Sequence, residues 1–299
     1  MTLTTQDAPL RTINSGLSTK LVECPRDAMQ GIQDFIPTAL KVKYLNALLQ
    51  IGFDTLDSGS FVSPKAIPQM KDTAEVLEGL DLSASSTKLL VIIANLRGAE
   101  EACQYEQISY LGFPLSLSET FQQRNTNKTI SEAFEQLKEI QSLAVKRNKI
   151  LVVYLSMSFG NPYNDPYDVA YLEEFVSKLA VLGVKIICPS DTIGVSAPDN
   201  ITYLFSTLIN RFPEIEFGAH LHSNPATAVE KIEAAYQAGC RRFDGAIRGF
   251  GGCPMAADIL TGNMATEKII GYLEWKGIDF TIDKIKFEAA VRLSGQVFL

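Results

Sequence analysis

Leu89-Leu90-Val91-Ile92-Ile93 is an unbroken apolar run. Five consecutive apolar residues, with no polar alternation, predict a strand covered on both faces, as in a parallel sheet. The same grammar extends both ways. Upstream, residues 21–24 read as a short strand ended by Pro25-Arg26-Asp27, and Pro37 opens an apolar-periodic helix through Leu45, Leu48 and Leu49. Gly52 closes that helix just before a second strand at 53–56.

Downstream, 108–113 is a fourth strand, followed by a long polar segment at 116–128. Thr129-Ile130-Ser131-Glu132 has the form of a capping box, for a helix running to about Asn148. Strands follow at 150–155, at 184–188 after a helix stopped by Gly183, at 217–222, and at 242–247 after a helix stopped by Gly239. Eight strands alternating with helices fit an α/β chain folded as a (β/α)8 TIM barrel. A Gly-x-Gly-x-x-Gly after the first strand would favour a dinucleotide fold and is not in the sequence. Extra C-terminal helices are expected at 266–275 and 283–296, packed outside the barrel. The expected organisation is a polar N-terminal lead, 1–19, then one catalytic domain, 20–299, with a helical tail.

Composition narrows the function classes. The 299 residues are 46% hydrophobic and 20% charged, as in a globular chain with a sizeable core. A net charge of −7 argues against a nucleic-acid surface. The sequence holds no apolar run long enough to span a bilayer, and the polar lead resembles neither a secretory nor a transit signal, so no membrane partner and a cytoplasmic location are expected. The five cysteines are scattered and lack a Cys-x-x-Cys pair, which points to reduced thiols rather than a disulfide framework. Homo-oligomer formation is left open.

A barrel carries its chemistry at the carboxyl ends of its strands. Polar residues collect there: Arg26-Asp27 after strand one, Asp57 after strand two, Asp191 after strand six, His220 and His222 on strand seven, Gly251-Gly252-Cys253-Pro254 after strand eight, then Asn263. Residues i and i+2 of a strand share a face, so the only two histidines of the chain converge. A histidine pair with Asp27 and the amide oxygen of Asn263 makes a mixed nitrogen and oxygen set suited to Mg²⁺ or Mn²⁺. An amidohydrolase would need further histidines. Arg26 carries charge suited to an oxyanion such as an enolate, against the simpler reading of a surface ion pair. Cys253, among glycines, reads as a loop thiol near a ligand or as a structural one.

These residues together resemble the 3-hydroxy-3-methylglutaryl-CoA (HMG-CoA) lyases of the DRE-TIM metallolyase group. The resemblance covers residues 21–275 and rests on Pro25-Arg26-Asp27-Ala28-Met29-Gln30, Ser60-Phe61-Val62-Ser63-Pro64-Lys65, Ser190-Asp191-Thr192-Ile193-Gly194-Val195, His220-Leu221-His222 and Gly251-Gly252-Cys253-Pro254. It implies a divalent ion, Mg²⁺ or Mn²⁺, held by Asp27, His220, His222 and Asn263. Arg26, Cys253 and Asp57 form the implied catalytic set, and Gln30, Ser60 and Asp191 the substrate-binding set. The implied reaction is a retro-Claisen cleavage of an acyl-CoA, HMG-CoA, to acetyl-CoA and acetoacetate. Lys65 and Arg124 are candidates for the coenzyme A phosphates, as cations on top-face loops.

The sequence departs from the family pattern at three places. Asp57 stands where a glutamate is usual, so a contact to Arg26 or to the metal shell is expected to be lost or filled by water. His222-Ser223-Asn224-Pro225 replaces His-Asp-Thr-Tyr-Gly, removing an acid near the ion, and one extra residue lies between Cys253 and Asn263. Two alternatives remain. One is a Claisen-condensing 2-oxo acid synthase of the isopropylmalate or citramalate type, which commonly has downstream domains; the other is a metal-binding barrel without catalysis, which has no use for Arg26 and Cys253.

Overall fold

The computed structural model of the chain describes residues 18–252 and 261–299. Cys253 and most of the N-terminal lead therefore lie outside the described residues. Among those described, eight parallel strands form one sheet: β1 (Lys20–Glu23), β2 (Thr55–Ser60), β3 (Lys88–Ile92), β4 (Ile108–Ser116), β5 (Ile150–Ser156), β6 (Ile186–Asp191), β7 (Glu216–Ser223) and β8 (Arg242–Gly245). Each pairs with its sequence neighbours, and β1 pairs with β8 from Lys20↔Arg242 to Glu23↔Gly245, closing the barrel. Every residue of β2, β6 and β8 is buried, as expected of strands covered on both faces.

The helices are α1 (Pro25–Gln30), α2 (Thr38–Leu49), α3 (Thr73–Glu78), α4 (Leu96–Ala102), α5 (Glu119–Thr126), α6 (Ile130–Lys146), α7 (Val169–Val181), α8 (Pro198–Arg211), α9 (Ala228–Gln237), α10 (Thr266–Trp275) and α11 (Lys284–Phe298). The α6 capping box is present: the Thr129 backbone N–H donates to Glu132, and the Glu132 N–H donates to Thr129 Oγ1. Ala133, Leu137, Ile140 and Ala144 are the buried residues of α6, a spacing of four, three and four that draws one apolar stripe along the helix. Truncating Leu137 to alanine in that stripe costs about 2–5 kcal/mol. Gly52, Gly183 and Gly239 all take positive φ where helices end.

Several boundaries differ from expectation. Pro25-Arg26-Asp27 does not simply end a strand: proline opens the short helix α1, which fixes the directions of Arg26, Asp27 and Gln30. The polar segment 116–128 contains α5, whose amino end is capped by Ser118 accepting from the Phe121 N–H. Its few apolar residues hid the helical period. Strands two and six run to Ser60 and Asp191, past their apolar residues. The tail also needs correction, because α10 packs on β8 and α9 as the barrel's eighth outer helix; α11 alone is additional and packs on α2.

Two hydrophobic clusters result. The larger lies between the sheet and the helices. A small one, Leu90, Ile92, Tyr110, Val152, Ile186 and Cys188, lines the β3 to β6 side of the barrel interior. Above it the lumen opens toward the carboxyl ends of the strands.

Candidate active site

A cavity of about 430 Å³ opens at that end, and Arg26, Asp27, Gln30, Asp57, His220 and His222 are among the residues lining it. The first turn of α1 presents Arg26 and Asp27 together. Arg26 Nη1 donates to Asp27 Oδ1 at 3.1 Å and to Gln30 Oε1 at 2.8 Å, while Gln30 Nε2 donates to Asp27 Oδ1 at 2.7 Å. On its other side Arg26 reaches Asp57 Oδ2, with Nε at 2.9 Å and Nη2 at 2.6 Å. The shorter carboxylate has thus kept the arginine. Its other oxygen, Oδ1, is buried and without a hydrogen-bond partner, so the missing methylene shows there.

β7 carries the two imidazoles side by side, with ring centroids 5.7 Å apart. His222 Nδ1 lies 3.1 Å from the Thr192 carbonyl oxygen, which can only accept, so Nδ1 bears the proton and Nε2 keeps its lone pair. His220 Nδ1 lies 3.1 Å from Asp244 Oδ2 at the end of β8, and the same reasoning leaves its Nε2 free. Tyr154 of β5 packs edge-on against His220, with centroids 5.4 Å apart. One ligand atom each from Asp27, His220 and His222 lie within 4.8 Å of one another.

Asn263 arrives on β9 (Gly262–Asn263), which runs antiparallel to β7 and sets Asn263 opposite His222. Its amide nitrogen donates to Asp27 Oδ2 at 2.6 Å and to the Phe250 carbonyl at 2.9 Å. The residue expected to offer an oxygen therefore presents its nitrogen and braces Asp27. Gly251 crosses closely above, at φ +84°, where a Cβ would stand 2.7 Å from Ala28 Cα and 2.8 Å from the Asn263 amide nitrogen. Only glycine lets the loop pass there.

Electrostatics follow from burial and these partners. Burial alone would raise Asp27, but the charges of Arg26 and His220 and the Asn263 hydrogen bond hold it below the usual carboxylate range. Burial pushes Asp57 up to about 6 despite Arg26. Burial also lowers His222, aided by charge on His220, whereas at His220 the Asp244 bond and charge outweigh burial and raise it. With both imidazoles neutral, the set is one anionic oxygen and two nitrogen lone pairs facing a roomy cavity, which suits a hard divalent cation that keeps open positions for substrate.

The other predicted positions separate from this group. Ser60 and Asp191 are not among the described residues lining the cavity. The Ser60 hydroxyl accepts from the Val62 N–H at 3.2 Å. Asp191 accepts from the Val195 and Ser196 backbones and from Lys231 Nζ at 3.1 Å, so its charge is spent holding the loop after β6. Lys231 also donates to the His222 carbonyl at 2.8 Å, tying that loop to the histidine strand. Arg124 lies over the Tyr163 ring at 4.8 Å, and Lys65 is exposed. Asp244, Thr192 and Tyr154 were missed by sequence reasoning. Asp244 had a signal, as a lone acid on the last strand before the glycine loop.

With this geometry in hand, similarity is informative. The HMGL-like family profile matches residues 20–293. A hydroxymethylglutaryl-CoA lyase of Bacillus subtilis is 32% identical over 268 residues, covering 90% of this chain and 89% of that protein. The mitochondrial hydroxymethylglutaryl-CoA lyase of Macaca fascicularis is 34% identical, over 87% of this chain and 79% of that one. Among solved structures, an HMG-CoA lyase from A. baumannii in complex with coenzyme A and 3-methylmalate superposes with a TM-score of 0.86 at 30% identity, covering 94% of this chain and 91% of that chain.

Proposed function

The chain belongs to the HMGL-like family, and on that premise we infer that it is a divalent-metal-dependent carbon–carbon lyase that cleaves HMG-CoA to acetyl-CoA and acetoacetate. The observation that carries the mechanism is the meeting of Asp27, His220 and His222 ligand atoms beside the Arg26 guanidinium. We propose that these three residues hold the ion, with Mg²⁺ or Mn²⁺ favoured by the donor set. Asn263 Oδ1 joins them only if its amide turns over from Asp27 and Phe250. When bound, the cation supplies Lewis-acid charge that orients and polarises the substrate's oxygens.

The chain's own residues supply the rest. Asp57 Oδ1, unpartnered at the cavity wall with its carboxyl pushed up to about 6, is suited to take the proton of the tertiary hydroxyl. The hydroxyl oxygen's electrons form the new carbonyl, the C2–C3 bond breaks, and its electron pair becomes the thioester enolate. Arg26, charged at any working pH and held by Asp57, Asp27 and Gln30, stabilises that enolate with a fixed guanidinium. A proton returned to C2 completes acetyl-CoA, and the sequence resemblance assigns this step to Cys253. Gln30 keeps Arg26 and Asp27 in register, while Ser60 and Asp191 serve through the loops they hold.

Residues 20–299 read as one catalytic domain, supported by barrel closure at β1 and β8 and by α11 packing on α2. Among the described residues no helix is long and apolar enough to cross a membrane. A reducing, cytoplasmic setting is supported by the four described cysteines, all free. The test is an assay of purified protein with HMG-CoA and Mg²⁺, reading acetoacetate and acetyl-CoA in equal amounts. The condensing alternative predicts instead consumption of acetyl-CoA with a 2-oxo acid.

A further inference from the structure

His220 belongs to two clusters. Besides Asp27 and His222, its ring lies with Cys24 Sγ and an Asp244 carboxylate oxygen, again with all ligand atoms within 4.8 Å. Cys24 and Asp244 are 2% and 3% exposed. The Cys24 thiol makes only a weak 3.9 Å contact to the Val22 carbonyl, and Asp244 Oδ1 has no partner. A buried carboxylate oxygen without a donor, beside an uncommitted thiol and an imidazole, is a place where a cation lowers the energy.

We propose that Cys24, His220 and Asp244 form a second cation site, selective for a soft divalent ion such as Zn²⁺ or Cd²⁺, and that filling it inhibits the enzyme. The sulfur, nitrogen and oxygen set is the kind zinc takes, at about 2.0–2.3 Å per ligand. The His220 to Asp244 separation of 3.1 Å already matches two ligands on one small ion. Each side offers one carboxylate oxygen, but only this one offers sulfur; a hard ion prefers the sulfur-free Asp27 side, so the two sites sort ions by softness.

A neutral imidazole has one lone pair, which makes the sites mutually exclusive. Binding at Nδ1 moves the ring proton to Nε2 and releases one proton, from the Cys24 thiol, to solvent. Nε2 then cannot ligate on the Asp27 side. This exclusion rests on the reading that His220 holds the catalytic ion; the existence of the thiolate site does not.

The test is titration of the Mn²⁺-loaded 299-residue protein with Cd²⁺. It reads the ultraviolet thiolate-to-cadmium charge-transfer band, free Mn²⁺ by electron paramagnetic resonance, and HMG-CoA cleavage. Wild type is expected to show the band rising as Mn²⁺ is released and cleavage is lost. Cys24→Ser should keep basal cleavage and melting temperature, lose the high-affinity band, and need at least about tenfold more Cd²⁺ for half inhibition. Cys24→Ala serves if the serine variant does not fold. The same band and the same half-inhibition point in a folded Cys24 variant overturn the proposal. A Cys24-dependent band with Mn²⁺ undisturbed supports the site and overturns the exclusion.

Discussion

Arg26 grips a single oxygen of Asp57, with Nε at 2.9 Å and Nη2 at 2.6 Å from Oδ2, while Asp57 Oδ1 is left without a partner. The arginine sits 8% exposed between this carboxylate and Asp27, so its plane is fixed before substrate arrives. A prepositioned cation in a desolvated cavity costs little reorganisation when negative charge appears, which is why the pair bears on rate more than on binding.

Arg26→Met removes that charge while preserving much of the side chain's bulk. We expect kcat to fall by about 10²- to 10³-fold with a smaller change in KM. Steady-state kinetics on the folded, metal-loaded variant check this, and a loss confined to KM contradicts an enolate role.

Asp57 gives the acid limb of the pH profile. As a base it works only when ionised, so kcat/KM should decline as pH drops through about 6. Asp57→Asn should lower activity and remove that limb. An unchanged limb in the asparagine variant assigns the titration to another group.

Asp244 holds the Nδ1 edge of His220. Asp244→Asn keeps the shape but permits the amide to face the ring with either end, loosening the tautomer. We expect Mn²⁺ affinity to weaken by about 10- to 100-fold. Calorimetric titration of the metal-stripped protein measures it without reference to turnover.

Glu23, fully buried, accepts from the Ile247 N–H at 2.8 Å and shares a 2.6 Å hydrogen bond with the Thr266 hydroxyl, and burial pushes its carboxyl up from 4.5 to about 8. The folded state therefore binds the proton more tightly than the unfolded one. This contribution is fully present below about 4.5 and is lost as pH rises through about 8, at up to about 1.4 kcal/mol per pH unit between. Denaturant unfolding across that window should show the slope, and Glu23→Gln should flatten it.

How much was legible in the sequence follows from which interactions are local. Apolar runs such as 89–93 and the glycines ending helices reveal a barrel, because strand burial and helix termination leave their marks within a few residues. The histidine pair was legible for the same reason, since strand geometry alone puts i and i+2 together. Asp244 and Thr192 were not, because they meet the histidines only through the lateral pairing of separate strands, across β7 to β8 and β6 to β7. Asn263 was expected near the ion, and it is near; its amide orientation depends on the Phe250 carbonyl, which no spacing encodes. Asp191 looked functional because it is an acid at a strand end, whereas Lys231, 40 residues away, claims it.

The most direct measurement of the central claim is HMG-CoA cleavage by purified protein, first stripped with chelator and then supplied with Mg²⁺ or Mn²⁺. The account predicts no turnover without metal, and with it acetyl-CoA and acetoacetate in a one-to-one ratio. Full turnover in excess chelator with metal content confirmed negligible, or no cleavage by folded protein with the ion bound, contradicts it.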